Sequence, residues 1–129
     1  MNGGFLLLPI CVKDTGKYGR GIFATRDIKK DELLESSPIV ISPESEWKYL
    51  EKTKLFYYCF YWGNDTAIAL GYGSLFNHSY TPNAIYYNNE DQLTIDFYAL
   101  TDIKAGEEIT INYNGETDDH SKLWFDVID

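Results

Sequence analysis

Short apolar runs alternate along the chain with clusters of Gly, Asn, Asp and Pro, the rhythm of brief strands divided by turns. Residues 5–12 read as a first strand, with Phe5-Leu6-Leu7-Leu8-Pro9-Ile10 as its apolar run. Gly19-Arg20-Gly21 is a turn, followed by the short strand Ile22-Phe23-Ala24. Leu33 to Ser42 is extended and interrupted by Pro38. Ser42-Pro43-Glu44 starts a helix, with a serine cap, proline at the first helical position and acids in the first turn. Trp47 and Leu50 share one face of that helix, which ends near Lys54. Phe56-Tyr57-Tyr58-Cys59-Phe60-Tyr61-Trp62 reads as a strand covered on both faces, closed by a turn at Gly63-Asn64-Asp65. Ala84 to Tyr87 and Gln92 to Leu100 form a hairpin across Asn88-Asn89-Glu90-Asp91. Glu108 to Tyr113 is a final strand with Ile109 and Ile111 alternating, then the polar stretch Asn114 to His120 leads to apolar Leu123-Trp124-Phe125. An echo runs through the pattern: Asp27-Ile28-Lys29 precedes Glu32 and a strand, and Asp102-Ile103-Lys104 precedes Glu107 and a strand. It predicts one turn used twice. The sum is a mainly β domain with one or two short helices.

Length and composition narrow this picture. The 129 residues suffice for one core and one domain, residues 1–129. A hydrophobic content of 44% excludes a disordered chain. The run from Phe5 is far short of the ~20 residues of a membrane span, and no basic segment precedes it as in a signal peptide. A soluble, intracellular protein without membrane contact is expected. Cys11, Cys59, His78 and His120 lack zinc-site spacing, so neither a metal nor a disulfide is expected. The net charge of −9 argues against nucleic acid and suits a basic partner, although solubility accounts for it equally well. Aromatic content is 16%, with 11 Tyr, enough to line a channel for a cationic side chain or simply to fill a core.

Three polar segments carry candidate chemistry. Gly19-Arg20-Gly21 permits close backbone approach, but it lacks the third glycine of a dinucleotide fingerprint and alone is a tight turn. Asn77-His78-Ser79-Tyr80-Thr81-Pro82-Asn83 follows directly on Leu75-Phe76. Its Asn and His donate and accept, which suits a nucleoside edge as well as a capped loop. A hydrolase using Ser79 and His78 would want a G-x-S-x-G elbow, which the chain lacks. Gly106-Glu107-Glu108-Ile109-Thr110-Ile111-Asn112-Tyr113 ends a strand in a tyrosine that alone reads as core or rim.

Taken together and in this order, the segments resemble the signatures of the SET-domain methyltransferases. The family's G-x-G turn and small apolar strand are matched by Gly19 to Ala24, its Asn-His-Ser and Pro-Asn by Asn77-His78-Ser79 and Pro82-Asn83, and its Gly-Glu-Glu-apolar-Thr with tyrosine by Gly106 to Tyr113. The resemblance covers about residues 9–125 and is strongest to the minimal stand-alone SET proteins of large viruses and bacteria. Tyr80 stands where many members have cysteine, and these residues include none of the cysteine-rich zinc modules that flank the domain in many members.

The resemblance implies a β-clip of several small sheets of short strands, with a C-terminal pseudoknot. It implies transfer of methyl groups from S-adenosylmethionine, without a metal, to a lysine of a basic protein such as a histone. Tyr113 takes the catalytic place. Tyr18, Gly19, Arg20, Gly21, Asn77 and His78 are expected to cradle the cofactor, with Arg20 or Lys17 near its carboxylate and Trp124 either stacked on its adenine or only packed on the core. Tyr58, Ile111 and Phe125 are expected at the substrate channel, which Leu123, Trp124 and Phe125 close in place of a zinc module. Ile111 lies two residues before Tyr113, on the same strand face, and has no hydroxyl to restrict further rounds, so di- or trimethylated product is expected. The competing reading is a SET-like module that binds a basic peptide without catalysis; the presence of Tyr113 with Asn77 and His78 favours the enzyme. A domain this small also leaves room for a homodimer that completes the substrate groove, and the cytoplasm, or a host nucleus, is the expected location.

Overall fold

Strand after strand places its apolar residues at alternate positions, and the side that collects them becomes the core. The computed structural model describes residues 8–115. In chain order its elements are β1 (Ile10–Asp14), β2 (Arg20–Ala24), β3 (Leu33–Ser42), α1 (Trp47–Leu50), β4 (Cys59–Trp62), β5 (Asp65–Ala69), β6 (Asn77–His78), β7 (Ala84–Asn89), β8 (Thr94–Ala99) and β9 (Glu108–Ile111). The strands form two sheets, ordered β1-β2-β9-β6 and β4-β5-β3-β8-β7. All pairs are antiparallel except β6 with β9. This is the mainly β architecture of small sheets and few short helices that the sequence predicts.

In the first sheet Ile10 lies opposite Ala24, and Ile22 opposite Ile109, all of them buried. In the second, Ala67 and Ala69 on β5 and Ile95, Phe97 and Ala99 on β8 face inward. Phe76 stacks on Phe97 at 4.6 Å, between the sheets' apolar faces. A bulge on β3, where Leu33 pairs with Tyr98 but Glu35 with Phe97, turns both Leu34 and Glu35 inward. The buried Glu35 carboxylate accepts the Tyr72 N–H at 2.8 Å. Pro38 does not interrupt β3: it sits where the strand exchanges β8 for β5 as partner, so little of the ladder depends on its missing N–H.

The two Asp-Ile-Lys turns prove to be partners of one another. Ile28 and Ile103 exchange backbone hydrogen bonds of 2.7 and 2.8 Å, and both are buried. Asp27 accepts the Ala105 N–H while Asp102 accepts the Lys30 N–H. Ala24 bonds Gly106 and Glu107 just as Ala99 bonds Asp31 and Glu32. The equivalent positions Asp31 and Gly106 both lie at positive φ, +72° and +88°. The repeat is therefore a local two-fold, each copy completing the other.

The segment between β3 and β4 departs from expectation. Ser42 is not the helix cap; Pro43 is, and the Glu44 N–H is satisfied from β5 by the Asp65 carboxylate at 2.8 Å. One 3₁₀ turn (Glu44–Glu46) and a single α turn follow, with no buried residue in either. Without an apolar face to bury, so short a helix cannot lengthen. The aromatic run is strand only over Cys59–Trp62; Lys54–Tyr58 forms a 3₁₀ turn that sets Phe56 edge-on to Trp47 at 5.0 Å. At the far ends of the second sheet, the Asn88 amide on β7 donates to the Tyr61 carbonyl on β4 at 3.0 Å, drawing the two edge strands together.

Candidate active site

The site begins where β9 ends. Asn112 is buried, and its side-chain oxygen accepts the Asn114 N–H at 3.0 Å, forming a turn that swings Tyr113 out of the strand. The Tyr113 N–H donates to His78 Nδ1 at 2.9 Å, and its hydroxyl donates to the Phe76 carbonyl at 2.7 Å. β6 lies alongside, with the Ser79 N–H donating to the Ile111 carbonyl at 2.9 Å. Asn83 pins the same strand from the other side, accepting from Thr110 and donating to the Glu108 carbonyl. The Asn-His-Ser and Pro-Asn segments thus position the tyrosine. Burial pushes the Tyr113 phenol far above the ordinary tyrosine range, and Tyr58, Glu108, Tyr86 and Tyr18 push the same way, so it stays protonated.

On one flank lies a polar cluster. Thr15 binds the Gly19 carbonyl through both backbone and hydroxyl, and its hydroxyl receives the Tyr18 N–H, a local turn that aims Tyr18 inward. The Tyr18 hydroxyl donates to Glu108 Oε1. The Asn77 amide donates to Glu108 Oε2 at 2.8 Å and to the Arg20 carbonyl at 3.0 Å. Gly21 packs closely against this pair: a Cβ would stand 2.5 Å from Glu108 Oε2 and 2.7 Å from Asn77 Nδ2, and would displace one or both side chains. Arg20 is exposed and forms no ion pair with any described residue.

On the other flank is a cavity of about 170 Å³ with aromatic walls. Trp47, Phe56, Tyr57, Tyr58, Phe60, Tyr61, Phe76, Tyr86 and Tyr113 line it. Phe60 meets Tyr86 edge-on at 5.1 Å, while Tyr61 is 73% exposed at the rim. The Cys59 thiol also borders the cavity, and burial pushes its pKa up. Cys11 and Cys59 are free thiols in different sheets, and among the described residues no group of three or more His, Cys, Asp or Glu is placed to hold a metal.

Residues 19–114 match the SET domain. The chain belongs to the SET-domain family. It is 34% identical over 120 residues to a histone-lysine N-methyltransferase of Schizosaccharomyces pombe specific for H3 lysine-37, over 92% of this chain and 78% of that protein. A variant-silencing SET domain-containing protein of Plasmodium falciparum is 36% identical over 80% of this chain, which spans only 5% of that protein. A solved structure of a putative histone methyltransferase from Plasmodium falciparum superposes with a TM-score of 0.71 at 29% identity, covering 90% of this chain and 97% of that one. A humanized Chaetomium thermophilum Polycomb Repressive Complex 2 superposes with a TM-score of 0.70 at 21% identity over 84% of this chain and 15% of that one, a likeness of fold.

Within this SET domain, the residues singled out by sequence divide into three groups. Tyr18, Arg20, Gly21 and Asn77 meet around Glu108, with Gly19 in the turn that carries Tyr18, while His78 bonds Tyr113 and Tyr58 lines the cavity. Ile111 does not reach the cavity: it is fully buried in the core, because the strand's alternation stops there. Trp124 and Phe125, with Leu123 and the segment expected to form the pseudoknot, lie outside the described residues. Two residues escape a sequence reading. Glu108 is one of an adjacent acidic pair with nothing to distinguish it, and Tyr86 is one of many tyrosines; its only signal is that it shares a strand face with buried Ala84. No helix among the described residues is long and apolar enough to cross a membrane.

Proposed function

We propose that this SET domain is a protein-lysine N-methyltransferase that draws on S-adenosylmethionine and modifies a lysine of a basic protein, with Tyr113 as its catalytic residue. The observation carrying this reading is that Tyr113 forms part of the aromatic cavity wall while β6 holds it next to the Tyr18–Asn77–Glu108 cluster. The likeness to a histone-lysine methyltransferase supports the substrate class.

When bound, S-adenosylmethionine supplies a methyl group on a cationic sulfur. The Gly19–Gly21 flank fits such a group: exposed Arg20 suits its carboxylate, and Tyr18 and Asn77 suit a nucleoside. The lysine stem packs among Tyr58, Phe60 and Tyr86, which desolvate it and hold it in line. A dry aromatic channel disfavours the ammonium form, so these walls would present lysine as a neutral amine to the methyl group that the bound donor would supply. Tyr113 stays protonated, so it is not the base. Its O–H is directed to the Phe76 carbonyl, and the phenol oxygen therefore meets an incoming amine as an acceptor, turning the lone pair toward the methyl group.

Radiolabelled S-adenosylmethionine incubated with the protein and a panel of basic proteins, histones included, is expected to label lysine. Tyr113→Phe is expected to lower kcat by about a hundredfold or more, as misaligned reactants do, while cofactor affinity measured by calorimetry stays within about threefold. Undiminished turnover in that variant overturns the role of Tyr113. Cofactor binding with no transfer to any basic protein favours the non-catalytic module.

A further inference from the structure

We infer that Glu108 is the counter-charge of the methyl-donor site, a fixed carboxylate that distinguishes the cationic donor from its neutral thioether product. The inference rests on the donor reading above.

Glu108 opens β9, on the strand face opposite to buried Ile109 and Ile111. Its two oxygens are both engaged, but by neutral donors: Oε1 by the Tyr18 hydroxyl and Oε2 by the Asn77 amide. Gly21 packs against Oε2 with no room for a Cβ. The carboxylate is half-buried and forms no ion pair among the described residues. A charge withdrawn from water without an opposite charge nearby costs stability, and two hydrogen bonds from neutral donors offset only part of that cost. The uncompensated charge makes physical sense where a cation is to be received. Asn77, which donates to Oε2, is followed directly by His78, which accepts the Tyr113 N–H, so the carboxylate lies on the same pair of strands that carries the tyrosine. Among the described residues, Glu108 is the carboxylate whose charge acts on the Tyr113 phenol.

S-adenosylmethionine carries a positive charge on sulfur, whereas its product S-adenosylhomocysteine is a neutral thioether there; the two molecules otherwise share every group the cradle touches. A carboxylate at this point attracts the first and is indifferent to the second, which favours exchange of spent product for fresh donor.

The test is calorimetry of the full chain with S-adenosylmethionine and, separately, S-adenosylhomocysteine. Glu108→Gln is expected to weaken donor binding about tenfold and thioether binding less than about threefold, the asymmetry expected when one partner of a charge pair is neutralised. Tyr18→Phe, which removes a hydrogen bond but keeps the charge, is expected to leave the ratio of the two affinities unchanged. Equal losses for both ligands in Glu108→Gln, or a ratio shifted as far by Tyr18→Phe, overturn the inference and leave Glu108 a structural clasp. If Glu108→Gln does not fold, Glu108→Asp, which draws the charge back by one methylene, is expected to lower the ratio; an unchanged ratio there overturns the inference as well. Wild-type protein that binds neither ligand overturns the donor reading itself, and this inference with it.

Discussion

Ile111 and Tyr113 are two positions apart, yet one ends in the core and the other at the cavity. Strict alternation would have kept them on one face; the Asn112 side chain ends it by capping Asn114. The cue was present in the sequence as Asn112-Tyr113-Asn114-Gly115, which is turn chemistry rather than strand chemistry. Ile111→Tyr is therefore expected to act through packing: an enlarged side chain at a fully buried site should lower unfolding free energy by about 1–3 kcal/mol in denaturant titration. A variant of unchanged stability that alters the number of methyl groups added would show that Ile111 reaches the substrate after all. The candidate site was otherwise legible residue by residue where a motif marked it, as at Tyr113, Asn77 and His78. Glu108 was not, because sequence cannot say which of Glu107 and Glu108 turns toward Tyr18.

Among the elements, the hairpin of β7 and β8 and the turn at Gly63 follow their sequence signals closely, since each depends on neighbours in the chain. The aromatic run and the serine cap do not. Their outcome depends on Asp65 and Trp47, contacts that no local pattern encodes. The Asp-Ile-Lys echo was legible as a repeat, but not as a pair whose copies bond one another. Its equivalence at positive φ has a measurable consequence. Gly106→Ala forces a Cβ into the left-handed region and is expected to cost about 1–2 kcal/mol of stability. Asp31→Gly relieves the matching strain but frees the unfolded chain, and should change stability by less than about 0.5 kcal/mol. Chemical denaturation of the two variants checks both values, and a neutral Gly106→Ala would mean that the turns are not equivalent.

For the molecule as a whole, a net charge of −9 produces an attractive field for a basic substrate. Raising ionic strength from about 0.05 M to about 0.5 M, where screening shortens to a few ångströms, is expected to raise KM for a basic peptide several-fold while changing cofactor affinity less. Steady-state kinetics at both salt levels decide this, and a peptide KM indifferent to salt would assign the acidity to solubility alone.

The strand order β1-β2-β9-β6 bears on how the protein is made. β9 is the latest of the described strands in the chain but lies inside its sheet, between partners formed much earlier. On a ribosome adding about 5–20 residues per second, the 84 residues from Ala24 to Glu108 take about 4–17 s to emerge. Throughout that interval the inner edge of β2 has no strand to pair with, a template for any other extended chain nearby. The same late strand that carries Tyr113 covers that edge, so the exposed edge is sealed and the candidate site gains its tyrosine together.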